Sequence, residues 1–167
     1  MASILKTDKI EGVTASGTVQ MPAGMVIQTV QTVSRTSVNT SSSSYVEAST
    51  NFRCSITPKF SNSKLLITAT LGMTAFNNGG QDCSAYSQLY DVTNSAYIAN
   101  SETPVREIDY GGNGNSFSNS VPTILLVDFQ NANQHTITWY YKKSAAITVQ
   151  ANDDHRLTQI MLQEIAQ

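Results

Sequence analysis

Ile56-Thr-Pro-Lys-Phe-Ser-Asn-Ser-Lys-Leu-Leu-Ile-Thr-Ala-Thr-Leu71 decides the fold class of this chain. Leu65, Ile67, Ala69 and Leu71 recur at every second position, the period of a strand with one buried face. Pro58 cannot donate to a ladder and so stops the strand before it. Ser61-Asn-Ser63 supplies turn chemistry, Lys64 opens the next strand, and the pair reads as an antiparallel connection. Upstream, Asn51–Thr57 reads as a strand with Phe52, Cys54 and Ile56 on its apolar side. That placement favours a buried thiol at Cys54 over a disulfide.

Working outward, Asn77-Asn-Gly-Gly-Gln-Asp82 is a turn, and Tyr86–Tyr90 and Ala96–Ala99 flank Asp91–Ser95 as hairpin strands around a loop. Met25–Val33 and Thr123–Phe129 are apolar on both faces. The first is expected to be covered on two sides or to face another subunit, and the second to be central. His135–Tyr141 alternates, with Ile137, Trp139 and Tyr141 on one side, and Ala145–Val149 precedes a turn at Asn152-Asp-Asp154. The apolar residues of the final stretch, Leu157, Ile160, Met161, Leu162 and Ile165, are expected to dock into the core, because an undocked terminus frays. Their spacing also fits one face of a helix. About eight to ten strands separated by polar turns indicate an all-β, antiparallel, jelly-roll-like sandwich over residues 25–167.

Composition supports the same class. Charged residues make up 13% of the chain, against about 25% in an ordinary soluble protein. Their place is taken by 20 Ser, 19 Thr and 13 Asn, which favour strands and turns over helices. A net charge of -2, with ten cationic residues scattered from Lys6 to Arg156, offers no basic stripe for nucleic acid. The opening Met1–Lys6 has no secretory apolar stretch, and no run reaches the roughly 18 apolar residues of a spanning helix, so membrane insertion is not expected.

Residues 1–24 read as an extended N-terminal arm. Ile4, Leu5, Ile10 and Val13 are isolated apolar residues without helical or strand period, followed by Gly17, Pro22 and Gly24. Fully extended, 20 residues reach about 65 Å, enough to lie across a neighbouring protein, with those four side chains as the attachment points.

Catalytic patterns are absent: no G-x-S-x-G elbow, H-E-x-x-H helix, phosphate loop or dinucleotide fingerprint occurs, and no cofactor is expected. Cys54, Cys83, His135 and His155 show no metal-ligand spacing. A glycosidase needs only two carboxylates, and Asp82, Asp91, Asp109 and Asp128 sit at turns or strand ends, as some acids in any chain do. Asp109-Tyr-Gly-Gly-Asn-Gly-Asn115 has the oxygen-rich composition of a calcium loop but not the closing Glu of an EF-hand; turn chemistry explains it. Tyr86, Tyr90, Tyr97, Tyr110 and Tyr140 suit either a sugar platform or cross-strand packing. Packing is the favoured reading for each except Tyr110, which lies in the long polar section 100–120, a loop or one short strand near Val105–Ile108. Tyr110, Asn113 and Asn115 are therefore the candidate ligand-facing residues of this section.

Four blocks carry a family likeness. Met1-Ala-Ser-Ile-Leu-Lys-Thr-Asp-Lys-Ile-Glu-Gly12, Ile56–Ile67, the pair Val127–Asn133 and Thr136–Lys142, and Gln159-Ile-Met-Leu-Gln-Glu-Ile-Ala166 resemble small jelly-roll-like fibre and virion-surface proteins of tailed bacteriophages of aquatic and cyanobacterial hosts. The chain departs from them in lacking a Pro after Asp128 and in its Ala166-Gln167 ending. The resemblance makes the last segment a strand. It implies a non-enzymatic virion protein, a short tail or head fibre with a homotrimeric β knob. The arm would join other virion proteins, and a host-surface glycan would be the receptor, which would make Tyr110, Asn113 and Asn115 receptor-facing. The alternative it leaves is a capsid decoration or cement protein. Either would be assembled in the host cytoplasm and sit on the virion surface.

Overall fold

A computed structural model of the chain describes residues 22–76, 83–107, 116–144, 148–152 and 156–167. Twelve strands run β1 (Val26–Ser34), β2 (Val38–Thr40), β3 (Val46–Glu47), β4 (Cys54–Ile56), β5 (Lys64–Phe76), β6 (Cys83–Asp91), β7 (Ala96–Tyr97), β8 (Thr103–Glu107), β9 (Ser116–Val127), β10 (His135–Lys143), β11 (Thr148–Ala151) and β12 (Thr158–Ile165). Among the described residues there is no α-helix, and so none long and apolar enough to cross a membrane. The strands form two antiparallel six-stranded sheets, an all-β sandwich.

Each sheet is organised by long strands that serve two short partners end to end. In sheet A, β5 pairs with β12 through Lys64–Thr70 and with β11 through Met73–Phe76, while β9 runs along its other side. In sheet B, β10 meets β4 and β3 on one side and β6 on the other, and β6 then pairs with β7 and β8. Strict alternation supplies the core: Leu65, Ile67 and Leu71 from β5, Ile160 and Leu162 from β12, and Leu89, Ile137, Trp139 and Tyr141 from sheet B are all fully buried. Burial pushes the Tyr141 phenol up to about 12. Cys54 is buried and free, as its phase with Ile56 indicates. Phe52 is buried too, but it lies in a 3-10 turn at Thr50–Phe52 and not in a strand.

Three expectations are corrected. Thr123–Phe129 is not central: among the described residues β9 pairs with β5 alone, and its outward side chains Ile124 and Leu126 are 69% and 58% exposed. Of the two alternatives for Met25–Val33, cover on two sides is excluded: among the described residues β1 pairs with β12 alone, and Val33 is 50% exposed. A strand apolar on both faces reads the same whether its second face is covered or open. The final segment docks as a strand, but only Ile160 and Leu162 of its five apolar residues are fully buried. Leu157 is exposed, and Met161 and Ile165 lie on the opposite face of β12.

The core position that alternation assigns after Leu162 holds Glu164, which is 0% exposed. An ionised carboxylate in such a place needs donors, and it has them. The backbone N–H groups of Lys59 and Phe60 donate to Oε1 at 2.8 and 3.1 Å, and Gln28 Nε2 donates to Oε2 at 2.7 Å. Burial pushes the carboxyl up, but the Lys59, Gln28 and Phe60 donors prevail and hold it below the usual carboxylate range. Glu164 therefore fastens the last strand to the turn between β4 and β5, so two of the sequence blocks quoted above meet at one buried charge.

Candidate functional site

Two surfaces stand out, one on each sheet. On the outer side of sheet A the registers build continuous rows across β1, β12, β5 and β9. Gln31, Met161, Thr68 and Ile124 form one row, Thr29, Gln163, Leu66 and Leu126 the next, and Val33, Gln159, Thr70 and Pro122 a third. No ionisable side chain occurs in these rows, and Ile124, Leu126 and Val33 are exposed in them. Solvated sheet faces are ordinarily polar in alternation with the core; these contiguous uncharged rows with protruding Ile and Leu form an exposed apolar area of the kind that interaction sites show.

The outer side of sheet B is aromatic. Tyr90 and Tyr140 lie with ring centroids 4.3 Å apart, and Tyr97 contacts both edge-on at 4.9 and 5.9 Å. Tyr45 adds to Tyr97 at 5.4 Å, and Lys142 Nζ sits 4.2 Å over the Tyr45 ring and 5.1 Å over Tyr86. Tyr45 Oη donates to Glu102 Oε2 at 2.7 Å; burial and then this carboxylate push the Tyr45 phenol far up. Tyr90, Tyr97 and Tyr140 thus pack across strands, as expected for them.

Beside Tyr97, where β6 turns into β7, opens a cleft of about 310 Å³ walled by Tyr97, Ile98, Val127 and Phe129. Its polar end is a fixed network. Asp91 Oδ1 accepts from the N–H groups of Thr93 and Thr136 at 3.0 and 3.3 Å, and Asp91 Oδ2 accepts from Asn94 Nδ2 at 2.6 Å. His135 Nδ1 lies 2.7 Å from Asp91 Oδ2 and His135 Nε2 lies 3.2 Å from Asn131 Oδ1, with the Phe129 ring stacked on the imidazole at 3.9 Å. Asp91 and His135 are both buried, so this pair ties the β6–β7 turn to the start of β10.

Of the residues singled out from sequence, Ile4, Leu5, Ile10 and Val13 of the arm and Tyr110, Asn113 and Asn115 of the long polar section lie outside the described residues, as do Asp82 and Asp109. Asp128 is exposed and caps a turn, accepting from the Gln130 N–H at 3.0 Å. Among the described residues no group of three or more His, Cys, Asp and Glu is placed to hold a metal ion. Asp91 was visible only as a turn acid and His135 only as a non-ligand. Both follow the buried phase of their strands, with Leu89 and with Ile137, Trp139 and Tyr141, and that phase is the signal that marks them.

No protein family and no curated protein matches the chain. Among solved structures, the chain is similar over 99% of its length to 47% of a chain in the structure of infectious bursal disease virus Gx strain, with 11% identity and a TM-score of 0.35. It is similar over its full length to 43% of a chain in the structure of the Gt strain, with 10% identity and a TM-score of 0.37. The chain thus spans under half the length of these structural neighbours, and at these TM-scores neither likeness bears on function.

Proposed function

We propose that this chain is a non-enzymatic structural protein of a bacteriophage virion, a short tail or head fibre. Its jelly-roll-like knob assembles as a trimer on the virion surface and meets a neutral glycan of the host, while residues 1–24 attach it to other virion proteins. The sequence blocks point to the class, and the observation that carries the assembly is the three uncharged rows on the outer side of sheet A, between Lys64 at one end and Arg156 at the other. Rows without ionisable groups meet a copy of themselves with no like-charge repulsion, and closed rings are the ordinary way to bury such a surface. Burying Ile124 and Leu126 contributes about 1.5–3 kcal/mol each.

Light scattering on the purified chain tests this. The expected mass is that of a trimer, and the I124D/L126D double variant is expected to be a folded monomer, its association weakened roughly 1,000-fold. A double variant that associates like the parent overturns the assignment of this face. The second reading, a capsid decoration protein, draws on the same exposed Ile124 and Leu126 of sheet A. In that case the same face rests on the shell, the protein binds undecorated heads in hundreds of copies per particle, and it does not bind host cells.

A further inference from the structure

We propose that the cleft between Tyr97 and Phe129 is the binding site for a neutral saccharide ring. The inference rests on the host-glycan part of the reading above and assigns it a place. About 310 Å³ lies at the low end of small-ligand sites, roughly 300–1,000 Å³, which suits a single sugar residue entered from solvent better than an extended chain. The walls supply the apolar surface on which the C–H face of a pyranose packs. Tyr97 stands at the mouth 44% exposed, and its ring is held in place by edge contacts to Tyr90 and Tyr140. An aromatic ring fixed before binding loses little freedom when a ligand stacks on it.

The polar end explains why the ligand is a hydroxylated neutral one. Asn94 has its Nδ2 committed to Asp91 Oδ2, so its amide is oriented, while its Oδ1 accepts no hydrogen bond among the described residues and is available to a hydroxyl donor. Asn131 is oriented in the same way by donating to Phe129 O at 2.7 Å and accepting from the Asn133 N–H at 2.9 Å. The lining contains Asp91 and His135, which are engaged with each other, and no Lys or Arg, so an anionic sugar finds no free cationic partner there. The Asp91–His135 pair works as the rigid support of the two amides, since it fixes both the turn that carries Asn94 and the start of β10.

The test is a titration of the full ¹⁵N-labelled chain with glucose, galactose, N-acetylglucosamine and, as the anionic comparator, glucuronate, following backbone amide signals. A neutral sugar is expected to bind in the millimolar range and to move signals of residues 91–99 and 129–135, with glucuronate inert. Tyr97→Ala is expected to weaken binding about fivefold or more, the worth of one aromatic contact. Ala99→Trp, at an exposed position on the rim, fills the cleft with Tyr97 left in place and is expected to abolish binding. Shifts that map elsewhere, equal binding by Ala99→Trp, or preference for glucuronate overturn the cleft assignment. So does the lack of any shift with all four sugars. Binding of the unmodified chain to intact host cells, measured in parallel, decides the host-glycan reading by itself: cell binding that survives Ala99→Trp removes the cleft and keeps the receptor role.

Discussion

Glu164 offers the most exposing test of the fold, because its substitution by Gln is nearly isosteric and removes only the charge. Its carboxylate accepts from the Lys59 and Phe60 N–H groups through one oxygen and from Gln28 Nε2 through the other. In E164Q the remaining carbonyl oxygen still faces the two backbone donors, but as a neutral acceptor, and the new NH₂ group faces the Gln28 NH₂ group. Gln28 cannot turn over to relieve this without loss, since its Nε2 also donates to Thr57 O at 2.7 Å. Hydrogen bonds to a charged acceptor contribute about 1.5–3 kcal/mol and neutral ones about half of that. Weakening two and losing one is therefore expected to cost about 3–6 kcal/mol, or roughly 6–24 °C in Tm for a chain of this size.

The pH dependence gives the sign. The folded-state carboxyl is held below its ordinary value of 4.5, so its contribution is fully present above that value and is lost as pH falls through the lower folded-state value. Urea unfolding at fixed protein concentration, at pH 7, 5, 4 and 3, measures both effects. The E164Q deficit is expected to be full at pH 7, nearly full at pH 5 and smaller at pH 3, below the ordinary value of 4.5, where the carboxyl of the unfolded chain has bound its proton. A deficit under about 0.5 kcal/mol at pH 7, or one that widens on acidification, refutes the assignment of Glu164 as a buried, ionised clasp.

Two further substitutions probe positions where packing is closed. A Cβ added at Gly72 would lie 2.6 Å from Arg156 Cβ, so G72A is expected to destabilise by about 1–3 kcal/mol through displacement of the strand entering β12, read as a lowered urea midpoint with unchanged slope. D91A leaves Asn94 Nδ2, His135 Nδ1 and the N–H groups of Thr93 and Thr136 without their acceptor. A loss of about 3–5 kcal/mol is expected, as when one partner of a buried pair is removed, with hydrogen-exchange protection falling first around the β6–β7 turn.

Strands were legible where one face alone is buried. In β5 and β10 the alternation of Leu65, Ile67, Ala69 and Leu71, and of Ile137, Trp139 and Tyr141, leaves only one arrangement that hides the apolar set. The same rule, followed one step further, reaches Glu164: it shares the phase of Ile160 and Leu162, and grouping Leu157, Met161 and Ile165 with them mixes the two faces of one strand. What periodicity cannot supply is the partner that neutralises such a residue. The Lys59 and Phe60 amides lie about a hundred residues away in the chain, and only the fold brings them together. The cleft is hidden for the same reason, because Tyr97, Phe129 and His135 come from separate segments.

The position of β9 also shows how this sandwich directs association. Among the described residues sheet A has three outer strands, β1 and the short β2 on one side and β9 on the other, and a free strand edge is a template for unwanted pairing. Along β1, Gln28 Nε2 and Thr32 Oγ1 donate to the carbonyl oxygens of Thr57 and Arg53, so the segment around β4 runs beside that edge. Along β9, Pro122 removes a backbone donor in the middle of the strand, opposite Thr70, which sheets tolerate at an edge and which discourages a further strand from adding there. With the long edges β1 and β9 discouraged and β2 only three residues long, the larger surface for association of sheet A is its face, where Ile124 and Leu126 protrude. Replacing these two changes no backbone hydrogen bond, so a loss of assembly in I124D/L126D reports on face packing and not on strand addition.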